Sequence, residues 1–127
     1  MTDFLRLEVF QSMFILDGSP NASLPEGSGG PVLAGPEAIF VAGRVAYDAP
    51  TTFRIGPDQG AEQHLVPAYR GRLATPCQEL RVVTIDQEVL GAVPVPAGVT
   101  EVAIFLSDLE EPDEIFVAIA TRGNRTG

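Results

Sequence analysis

The sequence predicts an all-β protein, a single-domain antiparallel β-sandwich of about seven to nine strands. Three observations predict it. Apolar residues either alternate with polar ones or run in short blocks, and apolar periods near the helical 3.6 are hard to find. Strand-like segments recur about every 8–15 residues, separated by turn signals, which is the pattern of a sandwich or barrel. Gly 13 and Pro 11 supply the punctuation, and both residues break helices. At 127 residues and 45% hydrophobic, the chain suits one domain, residues 1–127, with a genuine core.

The first strand spans 4–10, with Leu5, Leu7 and Val9 on one face and Arg6 and Glu8 on the other. Met13-Phe14-Ile15-Leu16 resumes the apolar pattern, and a bulge at Gln11-Ser12 would keep both pieces in one long strand. Asp17-Gly18-Ser19-Pro20 stops it. Residues 17–36 read as loop. Their Gly-rich centre, Glu26-Gly27-Ser28-Gly29-Gly30-Pro31, lacks the helix that a phosphate cradle needs.

Residues 38–47 form a second strong strand, and Thr51-Thr52-Phe53-Arg54-Ile55 returns as its hairpin partner. Residues 62–66 make a short strand ended by Pro67, and Tyr69-Arg70-Gly71-Arg72-Leu73 follows. Strands at 79–85 and 88–95 flank a tight turn at Asp86-Gln87, and Ala97-Gly98 turns the chain into its closing hairpin. That hairpin dominates the pattern. Val102-Ala103-Ile104-Phe105-Leu106 and Ile115-Phe116-Val117-Ala118-Ile119-Ala120 are apolar on nearly every residue, as in central strands buried on both faces. Between them lies Ser107-Asp108-Leu109-Glu110-Glu111-Pro112-Asp113-Glu114, a turn dense in carboxylates. Residues 121–127 read as a polar tail.

Net charge is −9, from 17 acidic and 8 basic residues, and every basic residue is Arg. Such a surface repels phosphates, which argues against nucleic acid as a direct partner and favours encounter with a basic protein. No apolar run approaches the roughly 20 residues of a membrane-spanning helix. No basic segment followed by an apolar one opens the chain, so a cytoplasmic location is expected.

No residue set spells out a reaction. His64 is the only histidine. Glu62, two residues away on a strand, would orient its ring if it were a general base, yet nothing resembles a nucleophile elbow around Ser12, Ser19, Ser23, Ser28 or Ser107. A surface histidine is the plainer reading. Cys77 stands alone, so neither an intrachain disulfide nor a cysteine zinc site is available, and a buried or half-buried structural role is expected. Arg70 and Arg72 beside Tyr69 form a small basic patch.

Asp108, Glu110, Glu111, Asp113 and Glu114 are the candidate partner-binding residues, with Asp17 and Glu26 behind them. Clustered carboxylates imitate a phosphate backbone and fill a cationic cleft. The same cluster admits two other readings. Acidic turns in β-sandwiches bind calcium, although this one lacks the central Gly and flanking helices of an EF-hand. Charges also blunt a hairpin against aggregation.

Several stretches together resemble the competence protein J family, small β-sandwich proteins that inhibit a partner nuclease. They are Val9-Phe10-Gln11-Ser12-Met13-Phe14-Ile15, the hairpin pattern of 38–55, Leu65-Val66-Pro67-Ala68, and Val93-Pro94-Val95-Pro96-Ala97-Gly98-Val99. The resemblance covers most of the chain and departs from the family in the 17–36 loop. It implies an inhibitor or immunity-type protein without catalysis, and no cofactor is expected. The reading is therefore a non-catalytic acidic protein that masks a basic partner such as a nuclease or toxin. The alternative is a small-ligand or calcium-binding module. Exposed strands also leave room for a homodimer.

Overall fold

The computed structural model describes residues 4–10, 12–25, 27, 30–43, 49–57, 64–110 and 112–119. Among them are ten strands and no helix. In chain order the strands are β1 (Leu5–Val9), β2 (Met13–Asp17), β3 (Val32–Ala34), β4 (Ala38–Ala42), β5 (Thr51–Pro57), β6 (Val66–Thr75), β7 (Glu79–Val83), β8 (Val89–Pro94), β9 (Gly98–Leu106) and β10 (Glu114–Ile119). They form two five-stranded sheets, ordered β1-β5-β10-β9-β6 and β3-β4-β2-β7-β8.

The inner faces of both sheets meet in one core. Phe14, Leu16, Ile39, Val41, Leu80 and Val82 come from the second sheet, and Phe53, Ile55, Leu73, Val102, Ile104, Ile115 and Val117 from the first. Phe14 and Phe53 join the layers with ring centroids 4.8 Å apart. Each fully buried side chain of this size contributes roughly 1.5–3 kcal/mol. The all-β sandwich read from the sequence is thus the fold observed, with ten strands among the described residues in place of seven to nine, because the first apolar stretch divides into β1 and β2 and β3 forms within the segment read as loop.

The closing hairpin is also as expected. β9 and β10 pair antiparallel from Leu106↔Ile115 to Val102↔Ile119. Their inner rows feed the main core. Their outer row, Ala103, Phe116 and Ala118, forms a second cluster with Leu65 and Phe105. This is why both strands read as apolar on nearly every residue.

Several connections differ from the sequence reading. β1 and β2 are not one bulged strand: they lie in different sheets, and the chain crosses between layers around Phe10 and Ser12. The expected hairpin of 38–55 does not form either. β4 pairs with β2 and β3, while β5 pairs with β1 and β10 in the other sheet. Local alternation is identical in a hairpin and in a crossover, so the pattern alone could not separate them. β3 lies inside the segment read as loop, and the second strand is observed as far as Ala42, with residues 44–48 outside the described region.

Pro67 does not end a strand. β6 runs through it, with a register shift between Pro67 and Tyr69, because β6 is a sheet edge where a missing N–H is tolerated. Cys77 is exposed, not buried. It sits in the turn after β6, where Gln78 adopts φ 62° and donates its N–H to the Thr75 carbonyl at 3.2 Å. The tight turn at Asp86-Gln87 is present, with Gln87 at φ 70°. One pairing was not anticipated: β5 and β10 run parallel, in register from Thr52↔Glu114 to Pro57↔Ile119.

Candidate functional site

The acidic turn links two central strands, and Ser107 organises it. Its Oγ donates to Asp113 Oδ1 at 2.7 Å and accepts the N–H groups of Asp113 and Glu114 at 3.0 and 3.1 Å. The Ser107 N–H donates to the Glu114 carbonyl at 3.0 Å, and the Asp113 carbonyl accepts from Thr52 N at 3.0 Å. Pro112, within the turn, is buried. The backbone is therefore anchored on both sides, and Asp108, Leu109, Glu110 and Asp113 stand exposed on it. Leu109 is an exposed apolar residue within the acidic rim. Glu111 and Glu26 lie outside the described residues.

Glu114 differs from its neighbours on the turn. It begins β10 on the outer face of its sheet, where the parallel register sets Glu114 beside Thr52 and Phe116 beside Arg54. Same-face residues two positions apart along neighbouring strands meet diagonally. Arg54 Nη2 accordingly reaches Glu114 Oε2 at 2.9 Å, with its guanidinium 4.6 Å from the centroid of the Phe116 ring. The other oxygen, Oε1, contacts His64 Nε2 at 2.8 Å. His64, Glu114, Arg54 and Phe116 thus form a continuous chain of contacts from the exposed turn before β6 to a buried ring. Both Glu114 oxygens are engaged within the protein.

The sequence reading placed Glu114 among the projecting carboxylates and Glu62 beside His64. The imidazole contacts Glu114, fifty positions away; Glu62 lies outside the described residues. Only the parallel pairing of β5 with β10 brings Arg54 to Glu114, and no local spacing reports that pairing.

Asp17 is not on an acidic rim. It is buried at the end of β2, where β7 places Arg81 opposite it. Arg81 Nε donates to Oδ1 at 2.7 Å and Nη2 to Oδ2 at 3.1 Å. The Asp17 hydrogen bonds hold the guanidinium above its ordinary range, against the opposing effect of burial. In the basic patch, Arg72 approaches Glu101 at 3.8 Å with both side chains exposed. Among the described residues, no three His, Cys, Asp or Glu side chains cluster as a metal site would require.

No family model matches the chain, and no curated protein matches it. A solved structure does. The chain is similar to ComJ from Bacillus subtilis, whose crystal structure is described as that of an inhibitor of the DNA-degrading activity of NucA. The two share 11% sequence identity, the match covers 94% of this chain and 97% of that one, and the TM-score is 0.63. The fold of this protein is therefore the one seen in ComJ, two packed five-stranded sheets.

Proposed function

We propose that this protein is a non-catalytic inhibitor that binds a nuclease through the acidic turn between β9 and β10. The observation that carries the reading is the likeness to ComJ over 94% of this chain. The anchored turn supports it. Asp108 and Glu110 are held out on a backbone fixed by Ser107 and Thr52, and a preordered rim meets a cationic cleft with little ordering cost. Asp113, also exposed, extends the same rim. Glu114 acts from behind, as the post that ties the turn to Arg54 and His64.

The test is DNA degradation by a basic nuclease from the same genome, assayed with increasing amounts of this protein. Stoichiometric inhibition that weakens from low to high salt is the expected result, since exposed charges act through a screened field. Undiminished DNA degradation at a large excess of the protein would overturn the proposal.

A further inference from the structure

The sandwich has four sheet edges, and three of them carry devices that discourage pairing. β3 is only three residues long and lies between Pro31 and Pro36. β6 contains Pro67 and a register shift. β8 contains Gly91 and ends at Pro94, with a register shift opposite Val82 and Val83. The fourth edge, β1, has none of these. Leu5–Val9 pairs with β5 in unbroken register, holds no Pro or Gly, and pairs with no second strand among the described residues.

The residues of β1 are also self-complementary. Antiparallel pairing of two copies about Leu7 sets Arg6 opposite Glu8 of the second copy, and Glu8 opposite its Arg6. Both side chains are more than half exposed, at 57% and 56%, and already touch within one chain at 3.1 Å. One residue beyond each end, Phe4 meets Phe10 of the other copy. Phe4 and Phe10 are 47% and 60% exposed, and both are aromatic, so each would bury a ring on pairing. On the opposite face Leu5, Leu7 and Val9 are only partly covered by the core. A second copy would cover both faces at once.

We propose that the chain forms a two-fold homodimer in which the β1 edges pair antiparallel with Leu7 on the axis, joining two five-stranded sheets into one. Such an interface is isologous, so each favourable cross-strand pair occurs twice. The proposal does not depend on the nuclease reading, and its test needs no partner.

Sedimentation equilibrium of the full chain should give twice the 13.5 kDa chain mass, with dissociation on dilution. Arg6→Glu and Glu8→Arg each oppose like charges on both sides of the axis. Each should weaken the dimer roughly ten- to a hundredfold while circular dichroism stays unchanged. An equimolar mixture of the two variants, and the double variant R6E/E8R, restores opposite charges and should restore the dimer. A wild-type chain that remains monomeric at high concentration overturns the proposal, as does a dimer indifferent to both single substitutions. Capture of another protein's strand by a monomeric chain would likewise assign this edge to a different occupant.

Discussion

Arg54 and Glu114 sit two register positions apart on parallel strands and close to 2.9 Å. Arg54 is almost fully buried, with its guanidinium against Phe116. The pair therefore couples the acidic turn to the sheet.

Arg54→Met should destabilise the fold by about 3 kcal/mol, because it leaves a partly buried carboxylate without its cation. Glu114→Gln should cost less, since an amide still accepts from the guanidinium. Urea denaturation of both variants and their double mutant measures the coupling, and additive effects would contradict it.

Asp108→Asn with Glu110→Gln should leave stability within about 0.5 kcal/mol of wild type, because both side chains are exposed. The same variant should associate with a basic nuclease more slowly and with a shallower salt dependence. Stopped-flow association at several ionic strengths reads this directly.

Arg81→Met removes the cation from a buried carboxylate and should cost about 3 kcal/mol. Its pH dependence has a definite sign. The folded guanidinium is held above its ordinary range, chiefly by the hydrogen bond to Asp17. Its contribution is fully present below the unfolded value and is lost only as pH climbs through the folded one. The stability gap between wild type and Arg81→Met should therefore not shrink between about pH 7 and 10 on account of the arginine. Denaturation curves across that range check it.

Gly18→Ala should cost about 2–3 kcal/mol. A Cβ there would collide with the Ala74 carbonyl oxygen and lie 2.6 Å from Thr75 Cα, both of them backbone atoms. Gly91→Ala should cost about 1 kcal/mol or less, since its nearest obstacle is the far end of the Leu5 side chain at 2.9 Å, not backbone. Thermal unfolding of the two variants should rank them in that order.

The sequence exposed the strands more clearly than their partners. Alternation at Leu5-Arg6-Leu7-Glu8-Val9 and the apolar blocks of β9 and β10 report which faces are buried, and the structure has them so. Alternation does not report which sheet a strand joins. Alternation alone therefore joins β1 to β2 and β4 to β5, and the fold places the members of each pair in different sheets. The acidic turn was legible because carboxylates and Pro112 stand between two apolar arms. The roles of Glu114 and Asp17 were not legible, because Arg54 and Arg81 reach them only through long-range pairing. Cys77 is exposed in the turn after β6, so the burial usual for its residue type does not hold there.

The position of β10 at the centre of its sheet, between β5 and β9, bears on how the protein is made. It is the last described strand in chain order, so one whole layer lacks its middle until some 119 residues have emerged. Nascent β5 and β9 must wait with unpaired edges. Topologies dominated by such distant contacts fold in about milliseconds to seconds, and synthesis arrested before residue 114 would release a half-built layer ready to seek other strands.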